Sequence, residues 1–103
     1  MPQDIDSQDN SLSPKEIERL FIQGDRSFHQ GNFIVAINIF EQLSQEIDAS
    51  HNLYFNLQRQ LVKAYQQNQQ TEQAIALCQQ MADSDVEATC LWGQKFLATL
   101  APE

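Results

Sequence analysis

The chain has 103 residues, of which 42% are hydrophobic, and its 14 acidic and 6 basic residues give a formal net charge of -8. This length predicts a single domain with a modest core. The negative charge and the lack of a basic stripe exclude nucleic acid as an expected partner, because a phosphate backbone would be repelled. The apolar stretches fall far short of the ~20 residues that span a bilayer, so no membrane insertion is expected.

The N-terminal segment is acidic. Asp4, Asp6 and Asp9 stand where a signal peptide would be basic and then apolar, so we expect a cytoplasmic protein. Residues 1–12 are polar and without periodicity, which predicts a mobile tail, and the ordered domain is expected over 13–101.

A first helix is predicted over about 14–30. Ser13 and Glu16 have the spacing of a capping box, and Pro14 occupies the first helical position between them. Gly31 suits the left-handed conformation that ends a helix. Between these limits the stripe follows three- and four-residue steps through Ile17, Leu20, Phe21, Gly24 and Phe28.

Four more helices are predicted downstream. The second extends from Phe33 to Ile47, and because Val35 and Ile39 widen its apolar face, we expect it to be buried on two sides. The third follows the break at residues 48–50 and ends near Gln67, with Asn68 as the expected turn residue. The apolar positions of the third and fourth helices are Leu53, Leu57, Leu61, Ala64, Tyr65, Ala74, Ile75, Leu77, Cys78 and Met81.

The fifth helix is predicted to open with a second capping box, formed by Ser84 and Glu87. Its apolar residues are Val86, Leu91, Trp92, Phe96, Leu97 and Leu100. Trp92 and Phe96 are expected in the core, with an exposed docking surface as the alternative. No alternating strand pattern competes with the helices, so the predicted fold is all-α.

One apolar motif occurs twice, since Ala36-Ile37 returns as Ala74-Ile75 in the second half of the chain. A helix-turn-helix unit of about 34 residues cannot bury its apolar face alone and must stack on a neighbour. The repeat therefore predicts a small antiparallel helical solenoid, whose usual function is to hold another protein.

These positions resemble the tetratricopeptide repeat (TPR) family. A first unit counted from Ile17 places Gly24, Gly31, Phe33, Ala36 and Phe40 on the family's motif positions. A second unit counted from Phe55 matches through Leu61, Ala64, Tyr65, Ala74, Cys78 and Met81, but it lacks the glycine of the turn. The resemblance implies two units and a C-terminal capping helix. The paired glutamines are similar to those of small repeat proteins in cyanobacteria.

The resemblance also implies a binding face, because the first helix of each TPR unit lines a concave surface. The implied residues are Glu18, Phe21, Asp25 and Phe28 in the first unit and Asn56, Arg59, Lys63 and Gln66 in the second. Arg59 and Lys63, four residues apart, share one helix face and could receive a carboxylate beside an apolar anchor. Alternatively, both cations are solvated and paired with neighbouring carboxylates. Chaperone-binding members have lysine and asparagine where Phe21 and Asp25 stand, so recognition of a chaperone's acidic C-terminus is not expected.

No catalytic, cofactor or metal motif is present in the sequence, so we expect a non-enzymatic adaptor or assembly factor that binds a protein or peptide segment. One alternative is a structural subunit that forms a homodimer or docks on a complex through an open edge helix. A remote alternative is a phosphotransfer domain with an exposed His29. Cys78 and Cys90 are expected as reduced core residues, although a turn near Ser84 could bring them together as a disulfide.

Overall fold

The structure is a computed structural model that describes residues 12–100. In that range it is entirely helical, without strands, which confirms the predicted all-α class. The helices are α1 (Pro14–His29), α2 (Phe33–Ser44), α3 (Tyr54–Gln67), α4 (Thr71–Ala82) and α5 (Glu87–Leu100). None of them is long and apolar enough to cross a membrane.

Leu12, the last residue of the predicted tail, is half-buried and packs against the hydrophobic core. The rest of the predicted tail, residues 1–11, and the last predicted domain residue, 101, lie outside the described residues.

Each helix packs on the next one in the sequence, from α1 through α5, and α1 also touches α3. This nearest-neighbour packing is typical of helical repeats. The core is a continuous cluster along the stack, and its fully buried large side chains are Phe40, Leu43, Leu57, Met81, Val62 and Cys78.

The start of α1 has the predicted capping box. The Glu16 backbone N–H donates to Ser13 Oγ (3.2 Å), and the Ser13 N–H donates to Glu16 Oε1 (3.1 Å). These reciprocal bonds satisfy two backbone donors that a helix start otherwise leaves free. Gly31, just after the helix, has the predicted left-handed conformation with φ +85°.

Helix α2 packs on both α1 and α3, but its buried face is narrower than the sequence predicts. Val35 is 48% exposed and Ile34 63% exposed, while Ile39 is half-buried. The helix also ends at Ser44, before the predicted Ile47, which is nevertheless buried in the following turn. One face of α2 therefore packs between α1 and α3, and the other meets solvent.

The break after α2 is stabilised by local side-chain bonds. Asp48 Oδ1 accepts hydrogen bonds from the Ser50 N–H (3.0 Å) and the Ser50 hydroxyl (2.6 Å). Because both bonds favour the charged carboxylate, they lower the pKa of Asp48. His51 Nδ1 accepts from the Leu53 N–H (3.0 Å), which places this histidine in a structural role at the start of α3.

Asn68 lies in the turn between α3 and α4, as expected. It has φ -92°, however, and the left-handed residue of this turn is Gln69, with φ 63°. Gln69 follows Gly31 at the same interval that separates Ala74 from Ala36, so it holds the equivalent place in the second hairpin. Residues other than glycine are uncommon in this conformation, so residue preferences alone do not point to Gln69.

Two glycines permit close helix crossings. A Cβ atom built on Gly24 would lie 2.6 Å from Cε1 of Phe40, so the aromatic ring occupies the space that a side chain would need. A Cβ atom on Gly93 would lie 2.7 Å from the Ala82 backbone nitrogen and 2.8 Å from the Cys78 carbonyl oxygen. In the first crossing a ring meets the glycine, whereas in the second the helix backbones themselves approach.

The second predicted capping box does not form. Ser84 Oγ accepts from the Val86 N–H (3.0 Å), and α5 begins only at Glu87, which is therefore too early in the helix to close the box. Trp92 and Phe96 stack with ring centroids 4.7 Å apart, and both are half-buried against the core.

Both cysteines are free thiols, as expected. Cys78 is fully buried, and its burial raises the thiol pKa to about 11. Cys90 is half-buried, and its thiol donates to the Ala82 carbonyl oxygen (3.1 Å).

Candidate partner-binding face

Helix α3 carries different chemistry on its two opposite faces. At 100° per residue, Leu57, Leu61 and Tyr65 fall on one side of the helix, and Arg59 and Lys63 fall on the other. We call the second side, with Asn56 and Gln66, the cationic face. The predicted binding residues of the second unit are all on it.

Arg59 is held in place by neighbours from its own helix. Its guanidinium lies over the Phe55 ring, 4.8 Å from the centroid, and Nη2 donates to Asn56 Oδ1. A cation over an aromatic face is attracted by the electron density of the ring. Arg59 Nε is buried and has no hydrogen-bond partner among the described residues. The guanidinium is thus oriented, and its donors are only partly used.

Arg59 and Lys63 are less exposed than the other lysine and arginine side chains of the chain. These two side chains are half-buried, whereas Lys15, Arg19, Arg26 and Lys95 are exposed. Within residues 12–100 the single ion pair joins His29 and Asp25, so neither Arg59 nor Lys63 has a carboxylate oxygen within 4.0 Å there. The pairing with neighbouring carboxylates that the alternative requires is therefore not seen within residues 12–100. A partly desolvated cation without a counterion favours an added anion.

Asp25 links α1 to α3. Its Oδ1 accepts a hydrogen bond from Gln60 Nε2, and its Oδ2 lies 3.6 Å from His29 Nδ1. Asp25 therefore fixes the spacing of the two helices beside the cationic face. His29 has 67% of its side chain exposed, and Nδ1 lies 2.8 Å from the Asp25 carbonyl oxygen. This exposure fits both the surface-histidine and the phosphotransfer interpretation.

The two predicted phenylalanines support the fold more than they line a surface. Phe21 is half-buried and packs on Phe40, with ring centroids 5.8 Å apart. Phe28, also half-buried, packs edge-on against Phe33 at 5.5 Å. Their remaining exposed area is available to a partner, whereas Glu18 and Gln66 are exposed throughout.

A groove on the opposite side of α3 was not predicted from the sequence. It encloses about 410 Å³ between α2 and α4, with Leu57 and Leu61 in its floor. At its edge the Tyr65 hydroxyl donates to Glu41 Oε2 (2.5 Å), and burial together with this carboxylate raises the tyrosine pKa above its ordinary range. The pattern of Leu57, Leu61 and Tyr65 is visible in the sequence, but it is equally the pattern of a closed core.

The described residues hold no group of three or more His, Cys, Asp or Glu side chains that could bind a metal ion. Comparison with protein-family models, with curated proteins and with solved structures finds no match for this chain. The class that the fold defines is therefore a helical-repeat-like all-α domain, and the TPR resemblance stays a prediction.

Proposed function

We propose that this protein is a non-catalytic, TPR-like interaction module, a cytoplasmic adaptor or assembly factor that binds a carboxylate-bearing protein segment on its cationic face. The observation that carries the proposal is the state of Arg59 and Lys63, which are half-buried and lack a carboxylate partner within residues 12–100. The proposed site also includes Asp25, Gln66 and the exposed edges of Phe21 and Phe28.

The charge of the chain supports an acidic ligand at this place. The chain has a net charge of -8, so Arg59 and Lys63 form a local positive region on a predominantly anionic molecule. Surrounding negative potential repels acidic segments elsewhere and thereby sharpens the choice of site. A planar, oriented guanidinium suits bidentate contact with a carboxylate, and the Phe55 ring supplies apolar area next to it.

The test uses a fluorescently labelled synthetic peptide of alternating aspartate and phenylalanine, with an asparagine-phenylalanine peptide as its neutral control. We expect the full chain to bind the acidic peptide with an affinity that falls as the salt concentration rises. We expect no binding of the neutral peptide. The double variant Arg59→Glu/Lys63→Glu should lose binding while its helicity by circular dichroism is unchanged.

A matched control comes from α1. Lys15 and Arg19 are also four residues apart, but both are exposed, so Lys15→Glu/Arg19→Glu makes the same charge change without touching the cationic face. This control should retain most of the affinity. Equal losses in the two double variants would show that net charge, rather than a built site, attracts the peptide.

A second candidate function, the structural subunit, is favoured by the end of the stack. Val86 at the start of α5 is 55% exposed, and Leu91 on the helix is 47% exposed, on an edge that no following helix covers among the described residues. This candidate predicts that sedimentation detects dimers and that Leu91→Glu abolishes them. A monomer at all concentrations would reject the homodimer form.

A further inference from the structure

The chain has six lysine and arginine side chains. Within residues 12–100, only Arg59 and Lys63 combine partial burial with the lack of a carboxylate partner. Segment 1–11 of the same chain holds three carboxylates, Asp4, Asp6 and Asp9, and no Lys or Arg. We propose that this N-terminal segment binds the cationic face in the same molecule, so that the protein carries its own competitor for the acidic ligand. The inference rests on the proposed function and adds its regulation.

The chemistry of the segment matches what the site selects. Asp4 and Asp6 flank Ile5, so two carboxylates surround one apolar side chain. The oriented guanidinium of Arg59 and the ammonium of Lys63 offer two positive groups one helical turn apart, with the Phe55 ring beside them. In an extended chain the side chains of Asp4 and Asp6 point to the same side, so this pair of carboxylates can contact both cations while Ile5 points away from the face.

Chain length decides which carboxylates reach the site. The last fixed point is Leu12, which packs against the core just before Ser13, the cap of α1. Asp25 lies twelve residues beyond Ser13, which is about 18 Å along the helix at 1.5 Å per residue. Asp25 bonds Gln60, the sequence neighbour of Arg59, so the guanidinium is roughly 20 Å from Ser13 when a helix-to-helix offset of about 10 Å is included.

An extended chain covers at most about 3.3–3.6 Å per residue. Asp9, three residues before Leu12, therefore reaches only about 10 Å and cannot contact Arg59. Asp6, six residues before Leu12, reaches about 20 Å at full extension, and Asp4, eight residues before it, reaches about 26 Å. The reach therefore assigns Asp4 and Asp6 to the cationic face and excludes Asp9, which provides a control within the segment.

Tethering makes such a contact effective even when each ion pair is weak. A ligand on a short linker has an effective concentration in the millimolar range, so it competes with any free segment of modest affinity. Removing the charges of Asp4 and Asp6 should therefore tighten binding of an external acidic peptide. We expect a gain of about threefold to tenfold, which shrinks as salt rises because both interactions are screened.

The direct experiment is zero-length carbodiimide crosslinking of the full chain, with the links mapped by mass spectrometry. We expect Lys63 to link to Asp4 or Asp6 with a yield that does not depend on protein concentration, while the exposed Lys95 on α5 stays unlinked to them. Arg59→Gln should lower this yield severalfold, whereas Arg26→Gln, at an exposed arginine of α1, should not. Equal linking of Lys63 and Lys95, or no effect of Arg59→Gln, would overturn the inference.

The competition experiment measures the acidic aspartate-phenylalanine peptide against full-length variants. Asp4→Asn/Asp6→Asn should bind it more tightly, whereas Asp83→Asn/Asp85→Asn, which makes the same charge change at the exposed turn before α5, should bind it like the parent chain. Asp9→Asn should also be silent. If the peptide binds with the same affinity to both double variants, the proposal that the N-terminal segment competes for the cationic face is rejected, while the proposed function stands. If the peptide binds to no variant, the proposed function fails, and the crosslinks alone decide whether the segment occupies the face.

Discussion

The two helical hairpins of this protein, α1–α2 and α3–α4, close with the same backbone bonds but different residues. In the first, the Asn32 N–H donates to the Ser27 carbonyl (2.8 Å); in the second, the Gln70 N–H donates to the Tyr65 carbonyl (2.7 Å). Helices α2 and α4 also have the same length and occupy equivalent places in the two hairpins. Because most of the turn bonds recur while the residues differ, the comparison indicates that turn bonds and packing volume define the hairpin.

The residues at the helix crossing of each hairpin show how the packed side-chain volume is conserved. In the first hairpin Gly24 receives the ring of Phe40, and the equivalent positions of the second hairpin hold Val62 and Cys78. The side chains of Phe40, Val62 and Cys78 are all fully buried. A small and a large residue are thus replaced by two of intermediate size. Cores tolerate such exchanges when the total volume is conserved.

The largest expected effect comes from giving the first hairpin only one of the two equivalent residues of the second hairpin. Gly24→Val puts a side chain where Phe40 already lies, and overpacking should lower the free energy of unfolding by about 3 kcal/mol. Adding Phe40→Cys should restore part of it, with a coupling energy of about 1–2 kcal/mol in urea denaturation. Strictly additive losses would show that the two hairpins fill their crossings by different means.

The equivalent alanines give the next test. Ala36 and Ala74 have no exposed area, so replacing either by leucine should destabilise the fold by about 1–3 kcal/mol through overpacking. Ala88 on α5 is exposed and provides a leucine control of little effect. Unchanged melting temperatures in both core variants would count against the repeat register.

Substitutions in the two turns should change the stability by smaller amounts and in opposite directions. Gly31→Ala places a Cβ in a left-handed position and should cost about 1 kcal/mol, although no atom lies within 4 Å of that Cβ. Gln69→Gly relieves the same conformation in the second hairpin and should stabilise by about 0.5 kcal/mol. Thermal unfolding of both variants measures the difference, and shifts in the same direction would contradict it.

An effect of similar or smaller size concerns another pair of equivalent residues, Ser27 and Tyr65. Tyr65→Phe removes the hydrogen bond to Glu41 and should cost about 0.5–1 kcal/mol, since the carboxylate keeps access to water. Ser27→Ala should stay within about 0.5 kcal/mol. A large loss in the serine variant would show that the first hairpin depends on a polar contact of its own.

Local signals explain what the sequence could predict. The capping box of Ser13, the turn at Gly31 and the apolar stripes each need only a few neighbouring residues, and the structure confirms them. The same motif at Ser84 failed because α5 starts only at Glu87, and Ser84 Oγ accepts from the Val86 N–H instead. Local rules also missed the exposure of Val35 and the left-handed Gln69, since tertiary position decides both.

The candidate site shows the same division. The spacing of Arg59 and Lys63 on one helix face follows from sequence alone. The bond from Gln60 to Asp25, the stacking of Arg59 on Phe55 and the groove beside Tyr65 depend on how helices approach, which no single-helix pattern contains.

The packing of each helix on its sequence neighbour has a consequence for how the chain folds and opens. Contacts between adjacent helices close only short loops, so folding should be rapid and able to start at either hairpin. The terminal helices α1 and α5 each lack a neighbour on one side within the described range, and they should exchange their amide hydrogens first. Helix α3, enclosed between both hairpin partners, should exchange last, so the helix that carries the cationic face is the most slowly opening part of the protein.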